Sequence, residues 1–276
     1  MLVAPATLAD AVAELEALGP DGALLAGGTW VMRAPHRGES FARTYVSLLQ
    51  VPELAGATIG EHASLGALLT HDDLSALDRD AGPLGAVAQA ARMSASPAVR
   101  SVATLGGNLC SATFREAELS AALLVLDAEV ELASVTGAAI LPLDTYLESR
   151  PDGILARVHV PQPAGRRSAY RRLTVVRGSS YPVCGVAVSF MLDEGVIRSP
   201  RVAAAAVDTR PRLLAAAAEA LDGVDATDEP AVLAAGRAGA SELPEHDGLD
   251  APGWYRLAVL PALLRDAVDT AARGTA

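Results

Sequence analysis

Residues 24–30 read Leu24-Leu25-Ala26-Gly27-Gly28-Thr29-Trp30, a short apolar run that stops on two glycines and a hydroxyl. The pattern predicts a buried strand over residues 23–26 that enters a tight loop. A second stretch, Ala103-Thr104-Leu105-Gly106-Gly107-Asn108, repeats the Gly-Gly step. Adjacent glycines give the backbone access to positive φ and let successive N–H groups converge on an anion such as a pyrophosphate. Thr29, Thr104 and Asn108, the last being the only asparagine in the chain, add side-chain hydrogen bonds to those amides. Either loop alone reads first as an ordinary turn.

The surroundings predict an α+β protein. Thr7 caps a helix whose apolar positions Leu8, Val12, Leu15 and Leu18 recur at helical spacing, with Gly19 placed to end it. Strands are expected over residues 43–48, 57–60 and 129–134, and helices from Thr70, over 82–93 and over 116–126. From about residue 164 the pattern changes: 170–176 and 183–192 read as strands, and Asp193-Glu194-Gly195 turns into a third over 196–207. Pro211 is expected to open a helix reaching Leu221, residues 225–252 to form a loop-rich connection with one short helix, and 254–272 to form a last helix kinked at Pro261. The division predicted is a first unit over residues 1–165, with lobes of about 1–55 and 56–165, and a second over 166–276.

Composition removes several functions. The net charge is −11 and the chain contains no lysine, which excludes the P-loop Lys and argues against a nucleic-acid partner. Apolar runs are too short or too interrupted by charge for a membrane span, and the first residues lack the basic start of a secretory signal, so a cytoplasmic location is expected. Two cysteines are too few for a disulfide framework, a four-cysteine zinc site or an iron-sulfur cluster. The five histidines show no metal-ligand spacing and read as exposed or core-satisfied. No metal site is expected, no catalytic acid, base or nucleophile emerges, and Cys110 reads as a small packing residue. Any redox chemistry therefore needs an organic cofactor.

Leu24-Leu25-Ala26-Gly27-Gly28-Thr29 with the distant Thr104-Leu105-Gly106-Gly107-Asn108 resembles the paired AGGT and TIGGN loops of the flavin-carrying medium subunits of molybdenum hydroxylases, the family of xanthine dehydrogenase and carbon monoxide dehydrogenase. The resemblance extends through Val51-Pro52-Glu53-Leu54, through residues 123–130 (LLVLDAEV), and to Trp254-Tyr255-Arg256 near the end. It implies a two-lobed FAD-binding domain of the para-cresol-methylhydroxylase type followed by a C-terminal α+β domain of the CO dehydrogenase flavoprotein type. It also implies FAD as cofactor, contacted by Leu25, Ala26, Gly27, Gly28, Thr29, Trp30, Thr104, Gly106, Gly107 and Asn108. Together, and with this resemblance, the two glycine stretches read as halves of one anion cradle. Glu118 falls where the family usually has an aspartate that accepts from the adenosine ribose, and Arg172 near a usual lysine on a strand that approaches the flavin.

The function so implied is electron transfer. An iron-sulfur subunit would deliver electrons taken from substrate by a molybdopterin subunit, and FAD would pass them to NAD, a quinone or oxygen. Trp30, where the family commonly has a small polar residue, and the altered residues 31–40 motivate an alternative, a stand-alone FAD-dependent oxidoreductase with its own small-molecule substrate. The indole itself either covers the cofactor or fills core space, and core filling is the expectation.

Overall fold

The computed structural model describes residues 1–77, 82–111, 114–176, 181–248 and 250–274. Its first lobe is a small parallel sheet ordered β1-β3-β2, formed by β1 (Leu2–Val3), β2 (Gly22–Leu25) and β3 (Thr44–Ser47). Helix α1 (Leu8–Leu18) crosses between the first two strands. The Thr7 side chain accepts the N–H of Asp10, and Gly19 ends the helix with φ at 51°. Ala11 is fully buried and packs with Val46, Leu48 and Leu54.

The second lobe is an antiparallel sheet ordered β4-β5-β8-β6-β7, comprising β4 (Ala57–Thr58), β5 (His62–Gly66), β6 (Glu129–Ser134), β7 (Gly137–Pro142) and β8 (Ile154–Pro161). Helices α2 (His71–Ser75), α3 (Gly85–Met93), α4 (Pro97–Arg100), α5 (Leu105–Cys110), α6 (Glu118–Leu124) and α7 (Leu143–Ser149) belong to this lobe. Helix α2 opens on a capping box, in which Thr70 and Asp73 each bond the other's backbone N–H.

The C-terminal unit carries an antiparallel sheet ordered β12-β11-β10-β9, from β9 (Arg167–Thr174), β10 (Pro182–Asp193), β11 (Val196–Ala205) and β12 (Arg212–Leu213). Three helices follow: α8 (Ala215–Leu221), α9 (Glu229–Ser241) and α10 (Gly253–Arg273). Strand β10 is buried from Pro182 to Phe190 because both of its faces are covered. Cys184, Val186, Val188 and Phe190 face the core beneath the three C-terminal helices, whereas Ala187 belongs with Tyr170 to the core of the second lobe. Alternation of side chains across a strand makes this two-sided burial possible.

Three expectations are corrected. Pro211 does not open a helix: residues 212–213 pair with β11, Leu213 opposite Ala203, and the helix begins only at Ala215. The connection over 225–252 contains a 13-residue helix, α9, capped by Asp228. Its Gly236 lies against Pro261 of α10, where a Cβ would sit 2.5 Å from the proline Cα. Finally, the second Gly-Gly pair is not a loop but the first turn of α5.

The last helix is tied to the sheet by Arg256, which is 2% exposed. Its Nη1 donates to the carbonyls of Val183 (2.8 Å) and Ala206 (2.9 Å), and its Nε donates to Ala251 (3.1 Å). No carboxylate is needed, because a guanidinium presents five donors in a fixed fork and here directs three bonds to backbone acceptors.

Candidate functional site

A cleft of about 960 Å³ opens between the lobes and the C-terminal unit. It lies at the upper end of the range usual for cofactor sites. Ala26, Gly27, Gly28, Thr29, Trp30, Thr104, Gly106, Gly107, Asn108, Glu118 and Arg172 all line it. Of the residues expected at the site, Leu25 alone is not in the wall; it ends β2, and its carbonyl accepts the N–H of Leu48.

The two glycine stretches lie side by side. A Cβ on Gly27 would fall 1.7 Å from the carbonyl oxygen of Val102, so a glycine is required for the first loop to approach the second. Positive φ plays a smaller part than expected: of the four paired glycines only Gly28 adopts it, at 71°. Gly106 and Gly107 are helical. Gly106 packs on Ala67, where an added Cβ would meet the alanine Cβ at 3.0 Å.

The two stretches also differ in what they offer a ligand. At the start of α5 the amides are already used: Leu105 N–H bonds Leu69 O, Gly106 N–H bonds Ala67 O, Gly107 N–H bonds Thr104 Oγ1 and Asn108 N–H bonds Thr104 O. This corrects the expectation of two converging amide nests. Among the described residues, by contrast, the amides of Gly27, Gly28, Thr29 and Trp30 meet no protein acceptor. The loop holding them is fixed from below, since Met32 N–H bonds Gly28 O and Arg37 Nη1 bonds Trp30 O. The first loop therefore presents backbone donors, and the second presents side chains.

An ion pair spans the two units at the cleft wall. Glu118, on the first turn of α6, accepts from Arg172 of β9 (Oε2, 2.7 Å) and from the Tyr170 hydroxyl (Oε1, 2.8 Å). The ion-paired side chains are 4% and 7% exposed. Burial raises the Glu118 pKa, while the charge and hydrogen bonds of Arg172 and the hydroxyls of Tyr170 and Ser94 oppose the rise. Tyr170 reaches this position across Gly185 of the neighbouring strand, where a Cβ would lie 2.0 Å from its hydroxyl oxygen.

Trp30 is half-buried in the cleft wall and packs on Phe114 (centroids 4.7 Å apart), with the Arg37 guanidinium 4.1 Å from the indole centroid. Tyr181 meets the edge of Phe114, and Arg33 bonds its hydroxyl. Of the two readings of the indole, core filling, the expected one, is the one that this placement disfavours.

Two cleft residues went unrecognised in the sequence. Cys110, read as a packing residue, is exposed and lines the cleft, with its Sγ 3.2 Å from the Tyr146 hydroxyl. His71, read as exposed or satisfied, is 3% exposed, lines the cleft and has no partner at either ring nitrogen. The Thr70 cap and the following Asp72-Asp73 mark a helix start, but no local signal shows that this side chain turns inward.

The arrangement suits a large ligand with an anionic centre: free backbone donors in the first loop, the close-packed glycines of α5 beside them, and planar aromatic and guanidinium surfaces at the wall. Among the described residues no group of three or more metal-ligating side chains is assembled. No helix among them is long and apolar enough to cross a membrane.

Comparisons with known proteins agree with this geometry. Residues 1–163 match the family described as the FAD binding domain in molybdopterin dehydrogenase, and residues 161–271 match the CO dehydrogenase flavoprotein C-terminal domain. The xanthine dehydrogenase FAD-binding subunit of Escherichia coli O157:H7 is 32% identical over 208 residues, 72% of this chain and 70% of that protein. The carbon monoxide dehydrogenase medium chain of Afipia carboxidovorans is 28% identical over 97% of this chain and 94% of its own. Among solved structures, the Cu,Mo-CO dehydrogenase in its cyanide-inactivated form superposes with a TM-score of 0.91 at 25% identity, covering 99% of this chain and 97% of that one. Carbon monoxide dehydrogenase from Hydrogenophaga pseudoflava gives a TM-score of 0.89 at 26% identity, over 98% and 96%. The chain thus belongs to the FAD-binding medium subunits of the xanthine dehydrogenase and CO dehydrogenase family, flavoproteins of molybdenum hydroxylase-type dehydrogenase complexes, and FAD is its cofactor.

Proposed function

We propose that this chain holds FAD in the 960 Å³ cleft and works in the cytoplasm beside an iron-sulfur subunit and a molybdopterin subunit, passing their electrons to a small-molecule acceptor. The division of labour within the chain follows residues 1–165 and 166–276. The observation that carries the reading is the row of amides from Gly27 to Trp30, without a protein acceptor among the described residues, in a loop that lines a cleft both units enclose. Bound FAD supplies the exchange between one-electron and two-electron carriers. The protein's residues supply position and electrostatics.

The Gly27–Trp30 amides take the diphosphate, because backbone N–H groups that lack acceptors bind phosphate oxygens with no side-chain entropy to lose. Asn108 adds an amide side chain from the neighbouring stretch. Glu118 fixes Arg172 at the wall and, with Arg172, Tyr170 and Ser94 on its two oxygens, keeps one lone pair for a ligand hydroxyl. Trp30 offers an indole face to a planar ring. The names of the relatives support the assembly: one, from Paenarthrobacter nicotinovorans, is called a dehydrogenase complex subunit, and the CO dehydrogenase relatives are called medium chains.

Co-expression with an iron-sulfur and a molybdopterin subunit tests the proposal. A stable complex whose flavin is bleached by substrate and recoloured by acceptor is expected. If the FAD-loaded chain alone oxidised a small substrate, and no complex formed, the stand-alone alternative would replace this reading.

A further inference from the structure

Helix α2 begins where the two lobes meet the second glycine stretch. His71 donates its backbone N–H to Ala103 O at 2.9 Å, and Thr70 bridges to Thr104. This anchors the imidazole beside the residues that start α5. The ring is 3% exposed and both Nδ1 and Nε2 lack a hydrogen-bond partner; Asn108, 7% exposed on the neighbouring turn, has an unpartnered Oδ1. Both side chains line the same cleft. Buried polar atoms are nearly always paired, and leaving one unpaired is costly. Two such residues in one wall mark a place where the missing partners belong to a ligand.

We propose that His71 is a cofactor-binding residue, giving a ring N–H to an uncharged polar atom of FAD while Asn108 Oδ1 accepts from the same cofactor. The inference rests on the FAD reading of the cleft. The choice of an uncharged atom follows from the ring's protonation state. Burial foremost, then the Arg100 guanidinium, hold the His71 pKa down to about 4, and Asp72 opposes them. Asp72 is itself paired with Arg100 at 3.2 Å. Near neutral pH the ring is therefore one donor and one acceptor, and a group that both accepts and donates, such as a hydroxyl, satisfies both nitrogens where the acceptor-only diphosphate would leave one orphaned. Sequence reading passes over it because the lone histidine has no companion at a ligand spacing.

The test uses the full chain stripped of flavin and titrated with FAD at pH 7.5, following quenching of flavin fluorescence. Wild type, His71→Leu and His71→Gln are compared, and the His71 ring ¹⁵N signals of wild type are recorded with and without FAD. His71→Leu is expected to weaken FAD binding about tenfold, as for loss of one buried hydrogen bond. His71→Gln keeps most of the affinity, and the wild-type ring signals shift on binding while staying in the neutral pattern. The flavin-free His71→Leu chain melts no lower than wild type, since leucine removes two orphaned polar atoms. Equal affinity of wild type and His71→Leu, or ring signals unmoved by FAD, overturns the inference and leaves the flavin assignment standing. Movement to the imidazolium pattern also overturns it, because the contact would then be to phosphate. Should wild type itself take up no FAD, the reading of the cleft fails with it. The ¹⁵N measurement needs no variant, so a substitution that fails to fold leaves the question decidable.

Discussion

The α-carbon of Gly27 is so close to the carbonyl of Val102 that even one methyl group cannot be placed between them; its carbon would lie 1.7 Å from the oxygen. This contact sets the separation of the two glycine stretches. Gly27→Ala is expected to force them apart, with loss of most bound flavin and a fall in stability of about 1–3 kcal/mol, the usual cost of overpacking. Gly107→Ala, whose new Cβ would meet only Thr104 Oγ1 at 3.0 Å in a helical backbone, is expected to be much milder. Flavin content per chain and thermal melts of the two variants check this. Equal losses would show that the Gly27 contact is not what holds the loops.

The buried pair of Glu118 and Arg172 makes a second prediction. Arg172→Met removes the charge that opposes desolvation of Glu118, and destabilisation of about 3–5 kcal/mol is expected at neutral pH. With its partner gone, the carboxyl's folded pKa rises further above its unfolded value. A raised folded pKa means that the native state binds the proton first, so the deficit shrinks as pH falls toward the unfolded carboxylate range. Denaturation at pH 7.5 and pH 5 should show the gap to wild type closing. A gap independent of pH would mean that Glu118 does not titrate there.

Gly185 bears on the same pair. Gly185→Ala would place a methyl carbon 2.0 Å from the Tyr170 hydroxyl oxygen and so push the ring off Glu118 Oε1. The expected result is a loss of stability at least as large as that of Tyr170→Phe, itself about 1–3 kcal/mol for one unsatisfied buried acceptor. In the Tyr170→Phe background the alanine should cost less than it does alone. A double-mutant cycle measures that coupling.

His71 predicts an acid limb for the unliganded chain. Its pKa is held down to about 4 from an ordinary 6.5, so between those values the unfolded state binds the proton and the native state does not. Stability therefore falls with pH through that window, by up to about 3 kcal/mol in all. Denaturant melts between pH 7 and pH 4 should show a shallower decline for His71→Leu than for wild type.

Arg256 lies outside the cleft and separates stability from binding. Arg256→Met strands the carbonyls of Val183 and Ala206, and a loss of about 3–5 kcal/mol is expected as several buried bonds disappear together. Flavin affinity per folded molecule should be unchanged. A matching drop in affinity would show that the cleft senses the seat of the last helix.

Much of this architecture is legible in the residue pattern alone. Thr7 and Gly19 bracket α1 as capping chemistry requires, and the apolar run of β10 stands out because both faces of that strand are covered. Local pattern fails where packing decides. Strand β8, the centre of the second sheet, interleaves Arg157 and His159 with its apolar residues; Arg157 is drawn inward by Ser64 and the carbonyls of the turn before β4. Gly106 and Gly107 read as loop residues because glycine disfavours helix, yet both lie in α5, where Gly106 permits the close approach to Ala67. At the site, the residue types signal a cradle, but which amides are free depends on Leu69 and Ala67, a strand-to-helix connection distant in sequence.

The sharing of one apolar core by α3, α6 and the inner face of β9–β10 carries a consequence for how such a subunit evolves and is engineered. The seam between its two sequence modules falls near residue 161, but the mechanical seam does not, because Tyr170, Ala187 and Ala205 are interior residues of the first module's core. A graft that swapped the tail for a relative's would therefore have to recut the underside of that sheet as well. Without that, the chimera would leave its new sheet mismatched against α3 and α6.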